Sequence, residues 1–340
     1  MGVLTTAVCT QLGIEHPVVQ APIGSAATPE LAAAVSAAGG LGSLALTWTS
    51  PPAARTVIRR VRELTDRPFA VNLVLDFEVG ELLRLCLDER VPVISTFWGD
   101  PTPVVPQVHA SGALHLHTVG SVDEADTALA AGVDGIVAQG WEAGGHVRGK
   151  VSTMALVPAV VDRAGPVPVL AAGGIADGRG LAAALALGAQ GAWMGTRFLA
   201  AREAASHRVY REALLGSAAQ DASYTRCFDG GWPHAPHRAL RNSTMADWEA
   251  AGSPSAPDRP GEGTVLATDG AGGVHHRYDD TVPLAGMSGD LEALALYAGQ
   301  SVGLVNDVAG AAEIVTDVVA QAHRLVRAPD GRYRQRGGAS

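Results

Sequence analysis

Lysine is almost missing from this chain: Lys150 is the only one in 340 residues. With a formal net charge of −9, the protein lacks the basic surface that holds a nucleic-acid backbone, and it has no polybasic tract for anionic lipid. Aromatic residues make up 5% of the chain. Cysteine occurs three times, as Cys9, Cys86 and Cys227, with no Cys-x-x-Cys pair. So few, so far apart, they argue against a disulfide framework and a zinc ribbon and predict a reduced, cytoplasmic setting. No apolar run reaches the ~18–20 residues of a membrane span. The opening Met1-Gly2-Val3-Leu4-Thr5-Thr6 fits the formal myristoylation pattern, but so short a motif carries little weight. A chain this long builds a full core without metal or disulfide staples, so the reading is one large domain carrying a smaller one.

What is abundant is glycine, 41 residues, with much alanine beside it. Short apolar runs alternate with helical patterns. The candidate strands are 17–20, 41–45, 69–73, 91–97, 113–119, 135–139, 167–172 and 192–195. Between them, helical periodicity covers 28–38, 52–64, 79–89, 121–131, 155–164 and 178–187. Strands apolar on both faces, each followed by a helix or loop, predict a (β/α)8 TIM barrel. An open doubly wound sheet is the alternative, weakened because no Gly-x-Gly-x-x-Gly follows the first strand. The expected division is 1–214 for the barrel, 215–290 for a smaller helical subdomain inserted after strand eight over the mouth, and 291–340 for returning helices. Helical periodicity at 291–297 and 309–326 supports those returning helices, and the last ten residues read as a frayed tail.

Reactive groups in such barrels sit at the carboxyl ends of the strands, with phosphate commonly held after strands seven and eight. Strand seven ends in Gly173-Gly174 and strand eight in Met194-Gly195-Thr196. Glycines there remove the Cβ atoms that would keep an anion from backbone N–H groups. Ordinary strand-to-helix turns also favour glycine, so it is the pair of loops that points to phosphate. After strand six comes Gln139-Gly140-Trp141-Glu142-Ala143-Gly144-Gly145-His146. The glycines let a flat ligand lie against the backbone, and His146 is suited to exchange a proton near neutrality. Asn72, at the end of strand three, is placed either to bond a ligand or to cap its loop. His115 and His117 share one face of strand five, read as the barrel interior or as satisfied polar packing. The remaining histidines show no metal-ligand spacing, and no metal is predicted. Trp141 and Trp232 hint at a ligand pocket.

Several blocks together resemble the nitronate monooxygenases, FMN-dependent barrel enzymes formerly called 2-nitropropane dioxygenases. These are PVVQAPIG at 17–24, VSAAGGLG at 35–42, FAVNL at 69–73, GVDGIVAQGWEAGGH at 132–146, PVLAAGGIADG at 168–178 and GAQGAWMGTRF at 188–198. CFDGGWPHAPHRALRN at 227–242 and AGQSVGL at 298–304 extend the likeness over nearly the whole chain. The resemblance implies FMN as cofactor and His146 as catalytic base. It implies flavin-ring contacts from Ala21, Pro22, Ile23 and Gly24, hydrogen bonds from Asn72 and Gln139, and close approach at Gly144 and Gly145. It places the phosphate at Gly173, Gly174, Met194, Gly195 and Thr196. His117 stands where some relatives carry lysine, which leaves the contribution of strand five open. A nitronate, or a nitroalkane deprotonated first, would be oxidised with O2 to a carbonyl compound and nitrite. The same fold and flavin site occur in NADH-dependent enoyl-acyl-carrier-protein and quinone reductases, and a non-catalytic flavin-binding barrel is the third reading. A small-molecule substrate is implied, and a homodimer is compatible with it.

Overall fold

A computed structural model describes residues 4–326. Met1 to Val3 of the myristoylation-like hexamer and the glycine-rich tail lie outside the described residues. Eight parallel strands carry the fold: β1 (Val18–Gln20), β2 (Gly42–Ala45), β3 (Phe69–Val74), β4 (Val93–Phe97), β5 (Leu114–Val119), β6 (Gly135–Gln139), β7 (Val169–Ala172) and β8 (Gly191–Met194). Their order around the sheet is β1-β8-β7-β6-β5-β4-β3-β2. A parallel bridge between Val19 and Leu41 joins the two ends into a barrel. At that seam the Gln20 side chain accepts a hydrogen bond from the Ser43 N–H at 2.8 Å, continuing by side chain what the short strands leave unpaired.

Alternation along each strand sorts the side chains. Val19, Leu41, Ala70, Val93, Leu116, Val137, Leu170 and Trp193 fill the interior, with Val8, Cys9 and Leu12 of helix α1 (Ala7–Leu12) against their lower end. Ile94, Ile136, Val169 and Ala192 face the outer helices instead. Helix α2 (Pro29–Ala37) begins where Thr28 caps the Leu31 N–H at 2.9 Å. Helices α3 (Pro51–Leu64), α4 (Gly80–Asp88), α5 (Val105–Ala110), α6 (Val122–Ala131), α7 (Thr153–Ala164) and α8 (Gly178–Ala186) follow the next strands. The apolar periodicity near the end of the chain is helix α9 (Ala311–Val326), which packs on α8. A Cβ on Gly178 would come within 2.4 Å of the α9 backbone at Val318 and Ala322, so only glycine permits that approach.

The inserted segment is mixed rather than helical. Between 217 and 290 it holds one α-helix, Ser243–Ala250, one three-stranded antiparallel sheet and two strands of a second. In one sheet β9 (Ala222–Thr225) pairs with β10 (His237–Leu240), which in turn pairs with Gly145–His146. The apolar runs here are about four residues between turns, too short to nucleate a helix but long enough to pair. The expected helix at 291–297 is a single 3-10 turn, Leu291–Ala293, followed by extended chain beside β10. Residues 293–296 are all buried, and such a continuous apolar run fits a buried extended segment as well as a helix.

Candidate active site

At the carboxyl end of the barrel, Asn72 of β3 points inward and donates to the Ser95 Oγ at 3.0 Å and the Ser95 carbonyl at 3.3 Å. Gln139 of β6 donates to the His146 carbonyl at 3.2 Å, and its Oε1 is buried with no partner among the described residues. For His115 and His117 the structure selects polar packing over the barrel interior. In the paired registers His117 lies beside Thr96 and Ile136, on the face turned toward the helices, while Leu116 points inward. His115 and His117 both bond the Thr96 hydroxyl, at 2.8 and 2.7 Å. His117 borders a cavity of about 240 Å³ on that outer side, with Trp98, Asp100, Glu124 and Arg148. Period-two spacing puts two side chains on one face; barrel closure decides which face that is.

The two glycine loops converge as their spacing suggests. Gly173 and Gly174 have φ of +101° and +74°, and an added Cβ at Gly174 would meet only the Glu142 side chain, at 3.7 Å. A Cβ at Gly195 would meet Ile23 at 3.5 Å and Ala21 at 3.6 Å, so the 21–24 loop, with Pro22 and Gly24, borders this cradle. The N–H groups of Gly174, Gly195 and Thr196 donate to no other described residue. The Thr196 hydroxyl accepts from the Gly299 N–H at 2.9 Å, which leaves its own proton to donate. Met194 contributes backbone only, because its side chain is buried among the helices. Gly144 backs onto protein: its Cβ would lie 2.3 Å from the Gly299 nitrogen. Gly145, at φ +69°, has open space around it.

His146 stands where the barrel meets the inserted segment. Its backbone pairs with His237, and its ring lies 4.2 Å from Trp232 at 32°, 5.5 Å from His237, 5.6 Å from Tyr297 and 6.5 Å from Trp98. Trp232 rides on a turn that places it against the barrel loops, with its indole N–H on Asp76 at 3.2 Å. The His146 side chain is 11% exposed, and its Nε2 is buried 3.8 Å from Asp280 Oδ2. Burial holds its pKa well below the ordinary histidine value, and His237 adds to that shift, so the imidazole is neutral at pH 7. His237 accepts from the Phe228 N–H at 3.2 Å and donates to the Ala235 carbonyl at 3.1 Å, which fixes one neutral tautomer.

Asp280, Tyr297 and Trp98 carried no sequence signal, because no spacing pattern connects them to His146. Arg238 was equally silent: buried, it donates to the Trp141 carbonyl at 2.8 and 3.2 Å and to the Ala222 carbonyl at 2.8 Å. That clamp holds the β6 loop against the inserted sheet.

Burial pushes His115 down to about 3 and His117 and His237 down to about 4. A histidine kept neutral when folded but free to protonate near 6.5 when unfolded withdraws stability as pH falls from 6.5 toward 4. His146 adds to this, while Asp280, raised to about 7 by burial, acts in the opposite direction and offsets it. The three remaining histidines therefore predict a loss of about 2 kcal/mol each at pH 5. Urea unfolding at pH 7.5 and pH 5 measures it. A His115→Gln, His117→Gln double variant with an unchanged pH slope would refute the assignment.

Fold and mouth together define an enzyme of the (β/α)8-barrel class. The profile of the family described as nitronate monooxygenase matches residues 5–81 and 75–321. A nitronate monooxygenase of Pseudomonas aeruginosa is 36% identical, covering 91% of this chain and 96% of that protein. Among solved structures, FabK from Thermotoga maritima superposes with a TM-score of 0.78 at 32% identity, covering 94% of this chain and 97% of that one. A nitroalkane oxidase from Streptomyces ansochromogenes gives 0.76 at 30% identity, covering 94% and 98%. The chain belongs to the nitronate monooxygenase family and is an oxidoreductase, which sets aside the non-catalytic reading. Among the described residues no helix is long and apolar enough to cross a membrane, and no cluster of side chains is arranged to hold a metal.

Proposed function

We propose that the protein binds FMN and oxidises alkyl nitronates, and nitroalkanes after removing a proton, with O2 as acceptor, to a carbonyl compound and nitrite. The observation that carries this reading is a neutral, enclosed His146 at a barrel mouth that also holds glycine loops with unused N–H donors. The residues fit the cofactor. Gly173, Gly174, Gly195 and Thr196 would take the phosphate, a dianion matched to backbone and hydroxyl donors. Asn72, Gln139 and the 21–24 loop would meet the ring, with the orphan Gln139 Oε1 free to accept an N–H. When bound, the flavin supplies the electron-transfer chemistry that no amino-acid side chain offers.

The chain's own part is proton transfer and exclusion of water. An unprotonated imidazole at the mouth accepts the acidic proton on the carbon bearing the nitro group. Trp98 and Trp232 enclose that ring and keep bulk water from competing for it. A nitronate arriving as the anion skips this step and needs only orientation. The FabK likeness keeps nicotinamide-driven reduction as the outcome to exclude. Acid precipitation of the purified protein is expected to release FMN. Under anaerobic conditions ethyl nitronate is expected to bleach the flavin faster than NADH does. A protein that releases FAD, or that NADH alone reduces, would overturn the proposal.

A further inference from the structure

A carboxyl from the far end of the inserted segment lies beside the buried edge of His146. Asp280 Oδ2 lies 3.8 Å from His146 Nε2, while its Oδ1 accepts the Tyr297 hydroxyl at 2.5 Å. The backbone holds this carboxyl in place: the Asp280 N–H donates to the Gly230 carbonyl at 2.8 Å, on the same turn that carries Trp232. Nε2 has no hydrogen-bond partner and is closed to solvent. Of the two ring nitrogens, Nε2 is therefore the one turned to a buried carboxyl, which leaves Nδ1 as the nitrogen free to take a proton.

We propose that Asp280, braced by Tyr297, is the positioning residue for His146, fixing the imidazole with its proton on Nε2 so that Nδ1 receives the substrate proton. The step balances without any further reactant. The substrate C–H bond breaks, its electron pair stays on the nitronate, and the proton forms the Nδ1–H bond. The Nε2–H of the resulting imidazolium then faces the Asp280 carboxylate, which compensates its charge. The inference rests on reading His146 as the base.

Around this pair the titratable groups are His237 on β10, Asp279 next in the chain, and Tyr297 on the extended segment beside β10. Burial raises Asp280 to about 7, and the Tyr297 hydrogen bond lowers it in part. The carboxylate form that the arrangement requires is therefore populated above neutrality and lost below it. Proton abstraction should follow the same limb.

The test compares wild type, Asp280→Asn and Tyr297→Phe on nitroethane and on preformed ethyl nitronate from pH 5.5 to 9. For wild type, kcat/KM on nitroethane should fall about tenfold per pH unit below ~7, while the nitronate shows no such limb. Asp280→Asn should lose about 10²-fold on nitroethane at pH 8 and lose the limb, yet keep nitronate turnover within about threefold. Tyr297→Phe should move the limb to higher pH. A second readout needs no substrate: in protein labelled with ¹⁵N-histidine, His146 should carry its proton on Nε2 at pH 8 and lose that preference in Asp280→Asn. An unchanged limb and an unchanged tautomer in Asp280→Asn would overturn the proposal. If wild type oxidises neither substrate, the proposed activity falls, and the tautomer measurement still decides the role of Asp280.

Discussion

His146→Ala is expected to keep its FMN and to lose about 10²–10⁴-fold in turnover of neutral nitroalkane, the usual contribution of positioned acid–base catalysis. The cofactor should stay because the cradle is built from Gly173, Gly174, Gly195 and Thr196 on other loops. Turnover of a preformed nitronate should fall less, since its proton has already gone. The difference between the two losses isolates proton removal from anion binding within a single variant, which one rate cannot do. Equal losses would reassign His146 to orientation of the anion. Full activity on both substrates would remove it from the mechanism.

Gly195→Asp is expected to leave a folded barrel that has lost most of its flavin. The backbone at this position takes a φ of −106°, which any residue adopts, and a Cβ meets nothing closer than 3.5 Å. Loss of cofactor therefore cannot be blamed on strain. Two like charges ~4 Å apart repel by about 4 kcal/mol at an effective dielectric near 20, roughly a thousandfold in affinity. Gly174→Asp should lose flavin in the same way but also melt earlier, because its φ of +74° disfavours a side chain. The ratio of flavin to protein after gel filtration reads both. Wild-type flavin content in Gly195→Asp would place the phosphate elsewhere.

The barrel was legible because parallel strands buried on both faces leave short, unbroken apolar runs, and β1 to β8 each coincide with one. The glycine loops and His146 were legible for a related reason: each is a local cluster in which neighbours in sequence remain neighbours in space. Asp280 and Tyr297 reach His146 only through the pairing of β10 with the β6 loop, and no periodicity encodes such a contact. For His115 and His117 the choice between barrel interior and polar packing stayed open in the sequence, because alternation specifies a shared face and not its direction. The inserted segment was misread because four-residue runs between turns carry too little pattern to separate strand from helix.

The pairing of Gly145–His146 with His237–Arg238 divides the molecule's inheritance in two. Every residue assigned to the cofactor lies before Leu199, on the barrel, whereas Trp232, His237, Asp280 and Tyr297, which surround the imidazole, all come after it. A change at one of these four positions alters what can approach His146 and how readily it takes a proton, while the glycine loops of the cradle lie elsewhere in the chain. A lineage built this way can explore new substrates by editing one contiguous stretch of its gene, while the glycine loops that precede it keep their own shape.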